Sequence, residues 1–457
     1  MAERDRTSAA FADAPTFARA LSLADLPSEV VLQAQRLLLD LIGVAAAGSR
    51  TPAAAIARAY AAAQMGGRDY SARMLFDGTR AGLAGAAFAG ASTIDAIDGH
   101  DGHALTKGHA GAAVLPALLA YVDGSVAPEI DGGEFITCLV LGYEIATRAG
   151  IALHATVPDY HCSGAWNALA CAAVGGRLLG LDHERTRHAL GIAEYFGPRG
   201  QILRVCSSPT MLKDGSGWGA HAGVTAALLA NAGFTGAPAL TVEGDAARAC
   251  WSDLGTRWLI GEQYIKAYPV CRWAQPAVEA ALALQRTHGF AAADVRALAV
   301  ASFRQAIDLG AQCLHPATSD EAQYSLRYAV AAALVFGRLG VAEIDPVRLD
   351  DPQVARLIEA MTLSEDRELS ARFPAERWAR VSVTLLDGRV LASAPARARG
   401  DPDNPLRDDE LRDKFRDCAE PVLGATRAAT LACAVDALID DPSALGALTN
   451  ALLAPVG

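Results

Sequence analysis

Lysine is nearly missing from this chain: only four of its 40 basic residues are lysine, and the others are arginine. Where arginine serves as the ordinary surface cation, a retained lysine suggests a need for a compact ammonium with a tunable pKa. An excess of positive charge is also missing. The net charge of −11 argues against nucleic acid and does not suggest attraction to an acidic membrane surface. Aromatic residues make up 6% of a chain that is 52% hydrophobic, and alanine dominates the apolar set. That composition favours closely packed helices. The nine cysteines include no CxxC pair, which leaves no readable zinc or iron–sulfur framework. Cys138, Cys171 and Cys433 lie in apolar runs and are expected in the core. Residues Met1 to Asp13 lack an apolar signal core, and no apolar run is expected to span a bilayer. These absences point to a cytoplasmic protein with reduced thiols.

What is present is mostly helical. At 457 residues, two domains are the starting expectation. Val30, Val31, Ala34, Leu37, Leu38, Leu41 and Ile42 share one helical face, with Pro27 suited to the first turn and Gly48 to the stop. Similar patterns recur at 81–97, 110–122, 134–154, 164–180, 184–195 and 219–232, and no strand alternation is convincing before about residue 260. The pattern then changes. Residues 295–303 alternate as a strand, and 378–391 read as a hairpin around Asp387-Gly388 with a type I′ turn. Helical segments are expected at 274–287, 320–338 and 351–360. The expected fold is mainly α: a large all-helical domain over 1–262, a smaller α+β domain over 263–398, and helices at 399–457 that return to the first domain.

Chemistry concentrates in five segments. Asp98-Gly-His-Asp-Gly-His-Ala-Leu-Thr-Lys-Gly-His109 carries three histidines, two aspartates and Lys107 at the mouth of an apolar helix. Asp98, His100, Asp101 and His103 offer oxygen and nitrogen ligands, but their spacing matches no established metal motif, and proton transfer is the stronger reading. In Asp159-Tyr-His-Cys-Ser-Gly-Ala-Trp166, His161 precedes a helix start with Ser163 as its cap. Lys213 precedes Gly215-Ser-Gly-Trp-Gly219, which is neither a dinucleotide fingerprint nor a nucleophile elbow. Tyr264-Ile-Lys-Ala-Tyr-Pro-Val-Cys-Arg-Trp273 brings Lys266, Cys271 and Arg272. A nucleophilic Cys271 would need a lowered pKa and a paired histidine. In Glu321-Ala-Gln-Tyr-Ser-Leu-Arg-Tyr328, Tyr324 and Tyr328 are expected on one helical face, with one of them packing.

In this order, the segments resemble the MmgE/PrpD family, which includes 2-methylcitrate dehydratases, cis-aconitate decarboxylases and an iminodisuccinate epimerase. The resemblance spans nearly the whole chain. It rests on Gly108-His-Ala-Gly-Ala-Ala-Val-Leu-Pro116, Leu178-Leu-Gly-Leu181, Gly233-Phe-Thr-Gly236, Lys266-Ala-Tyr-Pro-Val-Cys271 and Ala322-Gln-Tyr-Ser325. It implies a helical domain with an α+β lid, a homodimer, no metal or organic cofactor, and a small anionic carboxylate substrate. It also implies a site between domain and lid that uses Asp98 or Asp101, His109, His161 and Lys213. The loop departs from the family's usual acidic run through its Gly-His insertions. Cis-aconitate decarboxylases place a histidine where this chain has Cys271, which points away from that activity.

The resemblance implies proton abstraction beside a carboxylate, most closely like 2-methylcitrate dehydration, with epimerisation of a dicarboxylate as the alternative. In that scheme Lys213, Lys266 and Arg272 hold carboxylates, and Lys107, Asp101, Cys271 and Tyr324 line the substrate. His161 or Asp98 takes the proton, and His109 or His103 serves as acid. A metal-dependent hydrolase and a non-catalytic carboxylate-binding protein are the readings from other classes.

Overall fold

The computed structural model describes residues 11–126, 129–311 and 313–456, so the reading of the chain's first ten residues lies outside it. The first half is a stack of helices, Ser28–Gly48, Leu83–Asp95, Gly111–Asp123, Gly132–Thr156, Gly164–Leu178, His183–Phe196 and Ser216–Asn231. Helices that are apolar all round must be buried all round. Residues Gly111 to Tyr121 are accordingly buried without a break, around Pro116. Small residues set the closest approach. A Cβ on Gly219 would lie 2.6 Å from the Gly164 Cα, so the Ser216–Asn231 helix touches the Gly164–Leu178 helix backbone to backbone.

Two helices, Ser28–Gly48 and Gly132–Thr156, are long and apolar enough to cross a membrane, contrary to the expectation from the sequence. Their apolar faces are already used, since both helices are mostly buried inside the protein. They are core helices of the stack. Cys138 and Cys171 are buried as expected, whereas Cys433 is exposed, on the outer face of the Asp408–Asp436 helix.

Short strands do occur early. β1 (Ser71–Arg73) pairs antiparallel with β2 (Arg80–Gly82), and β3 (Gly102–His103) pairs with β4 (Gln263–Tyr264). Two- and three-residue strands are too short to leave an alternation signal. The later unit is built on a sheet of β5 (Val295–Ser302), β6 (Met361–Glu365), β7 (Trp378–Leu385), β8 (Val390–Ala392) and β9 (Ala396–Arg397). Its order is β6-β5-β7-β8, with β9 also on β7. β5 runs parallel to β6 and antiparallel to β7. β6 was not legible because it is an edge strand with only Met361 buried. The Gln275–His288 helix packs on this sheet, and the Leu326–Phe336 helix packs in turn on Gln275–His288.

Two local expectations are corrected. Only Gly388 in the β7–β8 turn has positive φ, and its amide donates to Leu385 O, so the hairpin has a three-residue loop closed by a left-handed glycine and not a type I′ turn. The segment 320–338 breaks after Gln323, and Ser325 caps a new helix by accepting from the Tyr328 amide. Tyr324 thus falls between two helices and shares no helical face with Tyr328. The Tyr328 hydroxyl donates to Glu343 O at 2.5 Å. The Asp408–Asp436 helix, kinked at Gly424, returns to pack along Ser28–Gly48, which makes the fold mainly α with a smaller α+β unit.

Candidate active site

The loop from Asp98 to His109 leaves one buried helix and enters the next. It is stitched to the start of the later unit by β3 and β4, with Gly102 opposite Tyr264. A side chain at 102 would collide with the Tyr264 hydroxyl at 2.4 Å, so glycine is what lets that ring in. The result is a cavity of about 30 Å³ whose walls come from both units. Asp98, Lys107, His109 and Asp214 stand on one side, and Lys266, Arg272 and Arg377 on the other. Ile202, Cys206, Cys271, Trp273, Tyr264 and Tyr324 complete it.

The buried ion pair of Asp98 and Lys266 is its centre. The Lys266 ammonium donates to Asp98 Oδ1 and, at 3.2 Å, to the Asp98 carbonyl, and both residues are almost wholly buried. Burial pushes the Asp98 carboxyl up, but Lys266, then His109 and His100, outweigh it and hold it far below the usual carboxylate range. His109 Nε2 lies 3.1 Å from Asp214 Oδ2 and 3.6 Å from Asp98 Oδ1. Its Nδ1 donates to the Asp101 carbonyl, which leaves Nε2 as the nitrogen that faces the cavity. Burial and Lys266 push the imidazole down, yet Asp214 and Asp98 prevail and raise its pKa above the ordinary value. Ser163, at the start of the Gly164–Leu178 helix, accepts from the His109 amide at 2.9 Å, and Asn167 donates to the His109 carbonyl at 2.9 Å. Ser163 therefore fixes His109 and does not cap its own helix.

Lys213 sits in a left-handed backbone conformation and reaches across to the later unit. Its ammonium meets Asp320 Oδ1 at 2.9 Å and Gln323 Oε1 at 2.8 Å, and lies 5.4 Å from the Tyr324 ring centroid. The same Gln323 oxygen accepts from the Asp98 amide at 2.7 Å. Arg272 is fully engaged with Asp401 at 2.5 Å, the Arg399 carbonyl at 2.8 Å and Gln275 at 2.9 Å, its guanidinium 4.6 Å from the Tyr264 ring centroid. Burial, then Arg377, lowers the Lys107 pKa to about 8. Burial pushes the Cys271 thiol up to about 12, so it stays neutral.

The structure brings Asp98, His109, Lys107, Lys266, Cys271, Arg272 and Tyr324 together at the cavity, with Lys213 behind Tyr324. It places three other candidates elsewhere. The His103 Nε2 faces Glu262 at 3.5 Å, away from the cavity lining. The Asp101 carboxyl is buried against Tyr143 and Gly111, where burial pushes it up to about 6. The His161 amide donates to His154 Nε2 at 3.1 Å, and its ring Nδ1 lies against the Arg199 carbonyl at 3.2 Å. Asp214 and Arg377 escaped the sequence reading. Asp214 had a signal, since it follows Lys213 directly. Arg377 had none, being one arginine among many.

A metal has one possible seat among the described residues: Asp98, His100 and His109 offer ligand atoms within 4.8 Å of one another. The donor set fits a divalent cation poorly, because the Lys266 ammonium already holds the Asp98 oxygen that would have to coordinate it. His100 packs edge-on against His109, with ring centroids 4.2 Å apart, and burial lowers its pKa to about 4.

Comparison with known proteins gives matching outlines. A model of the MmgE/PrpD N-terminal domain matches residues 13–252, and one of the MmgE/PrpD C-terminal domain matches 268–439. A cis-aconitate decarboxylase-like protein, oryM, of Aspergillus oryzae is 26% identical over 439 residues, which covers 89% of this chain and 90% of that one. The human cis-aconitate decarboxylase is 26% identical over 434 residues, covering 88% and 86%. A 2-methylcitrate dehydratase of Cupriavidus necator is 34% identical over 135 residues, 27% of each chain.

Proposed function

Because the chain belongs to the MmgE/PrpD family, we propose that it is a lyase or isomerase that moves a proton at a carbon beside a carboxylate of a small di- or tricarboxylate, with dehydration of a 2-methylcitrate-like substrate as its reaction. The observation that carries this reading is the buried Asp98–Lys266 pair facing the His109 imidazole inside one cavity.

Removing a proton beside a carboxylate builds enolate-like charge, which a fixed, desolvated cation stabilises far better than water does. Lys266 is that cation. In the resting cavity it suppresses the basicity of Asp98. A substrate carboxylate that takes a share of Lys266 weakens that hold, and Asp98 becomes a competent base as the substrate arrives. His109, whose pKa Asp214 and Asp98 raise, gives its Nε2 proton to the leaving hydroxyl, so that water and a carbon–carbon double bond are formed. Lys107 and Arg377 hold further carboxylate oxygens. The neutral Cys271 thiol and the apolar side chains of Ile202 and Trp273 offer an alkyl branch a dry wall.

Decarboxylation is the second reading, and the names of the full-length relatives favour it. The same His109 would then protonate the carbon left by departing CO2. Purified protein offered 2-methylcitrate and cis-aconitate in D2O separates the two. We expect an ultraviolet rise from the new double bond with 2-methylcitrate, with no CO2 from cis-aconitate. CO2 release from cis-aconitate would replace the first reading by the second. No turnover and no deuterium incorporation across a panel of di- and tricarboxylates would overturn both.

A further inference from the structure

Three of the four lysines have a place at or beside the cavity. The fourth, Lys414, comes from the Asp408–Asp436 helix, far along the chain, yet ends behind the same loop. Its ammonium meets Asp40 Oδ1 at 2.5 Å and donates to the Gly99 carbonyl at 2.7 Å. Asp40 belongs to the Ser28–Gly48 helix, and its side chain is wholly buried. The next carbonyl back, that of Asp98, accepts from Lys266 at 3.2 Å. Two successive carbonyls are thus each held by an ammonium from a different part of the chain, and the first of them belongs to Asp98, the residue whose side chain pairs with Lys266 and His109.

We propose that Lys414 is a positioning residue of the reaction: with Asp40 it fixes the Gly99 carbonyl, and so the turn that presents Asp98 to Lys266 and His109. The proposal rests on the proton-transfer reading of the cavity. A compact ammonium can serve a carboxylate and a carbonyl at once, which suits lysine in a chain that uses arginine elsewhere. The charged groups facing Asp40 are Lys414, Lys266 and Arg36, and its field reaches Asp101. Burial pushes Asp40 up, and Lys414 is the chief group opposing it. Without Lys414, Asp40 would compete with Asp98 for Lys266, and the Gly99 carbonyl would lose its anchor.

Lys414 also lines a second cavity, of about 340 Å³, whose wall includes Gly99. A small amine can enter there, which makes chemical rescue a direct test. The variants are Lys414→Ala and Asp40→Asn/Lys414→Ala. The readouts are kcat and KM, and the titration of His109 followed by NMR in protein labelled with 13C-histidine, which needs no substrate. We expect Lys414→Ala to lower kcat on the order of a hundredfold with KM little changed, as for a catalytic group misplaced by about 1 Å. We expect His109 to titrate lower as Asp98 moves away from it, and methylammonium to restore both properties. The double variant buries no unpaired charge, and it should remain impaired because the carbonyl still lacks its anchor. Wild-type kcat and His109 titration in Lys414→Ala, or in the double variant without amine, would overturn the proposal. If Lys414→Ala does not fold, the double variant decides by the same two readouts. If wild-type protein turns over no carboxylate, the functional reading fails, and the His109 titration still decides the positioning role.

Discussion

Replacing Lys266 by methionine tests the electrostatic centre without any substrate. The side chain keeps its length and loses its charge, so packing is largely preserved while Asp98 is left buried without its main partner. Removing one member of a buried ion pair costs about 3–5 kcal/mol, because the remaining charge has lost its compensation. The structure narrows this range. His109, 3.6 Å from Asp98, retains part of the compensation. Protonation sets a ceiling on the rest: bringing a carboxyl with an unfolded pKa of about 3.9 to the neutral form at pH 7 costs about 1.4 kcal/mol per unit, or roughly 4 kcal/mol. A loss of about 3–4 kcal/mol at pH 7 is therefore expected.

The pH dependence has a definite sign. In the wild-type protein the folded pKa of Asp98 is depressed, so its contribution to stability is present above the unfolded value and is lost as pH falls through the folded one. In the variant, burial is the largest remaining influence and raises the folded pKa. The penalty then shrinks as pH falls, by at most about 1.4 kcal/mol per unit. The assay is guanidinium unfolding followed by circular dichroism at pH 7 and pH 5, on wild type, Lys266→Met and Lys266→Met/Asp98→Asn. The double variant should recover at least half of the loss, since it buries no lone charge. A single variant within about 1 kcal/mol of wild type at pH 7, or a double variant no better than the single, would refute the reasoning.

Three further outcomes follow from the same geometry. Asp214→Asn removes the main influence that raises the His109 pKa, so the limb of the kcat–pH profile that needs protonated His109 should fail at lower pH than in wild type. The stability contribution of protonated His109 is full below the unfolded value of about 6.5 and lost as pH rises through the higher folded value; it should shrink in this variant, which pH-dependent melting will show. Arg377→Ala should raise KM on the order of ten- to a hundredfold with kcat less affected, because its buried Nε lacks a hydrogen-bond partner in the resting cavity wall and is free to bind a substrate oxygen. Gly219→Ala forces a methyl group to within 2.6 Å of the Gly164 Cα, and should cost about 1–3 kcal/mol in unfolding experiments.

The features that could be read from the sequence share one property: their signal is local. The long apolar helices repeat their pattern over many turns, and β7 alternates buried and half-buried residues along its length. The dense Asp98–His109 loop stood out because its chemistry is contiguous. Features that depend on distant partners were silent. β6 is a strand only because β5 runs beside it. His161 has the right residue type before a helix start, but the turn directs its ring to the Arg199 carbonyl. Asp98 and Asp101 are equivalent on paper, and only the packing of Tyr143 and Gly111 around Asp101 separates them. Arg377 and Lys414 enter the story solely through long-range contacts.

The small volume between the two units carries a kinetic consequence. About 30 Å³ holds a water or two, and a tricarboxylate is several times larger. The resting arrangement must therefore give way before substrate can enter, and the contacts that tie the two units together beside the cavity include Lys213 with Asp320 and Gln323, and the Asp98 amide with Gln323. Apparent affinity is then the intrinsic affinity scaled by the fraction of molecules that are open. Association should run well below the diffusion limit and saturate with substrate concentration, its ceiling set by the rate at which Lys213 releases Asp320. Weakening that latch, as in Asp320→Asn, would speed capture while leaving the groups that do the chemistry untouched.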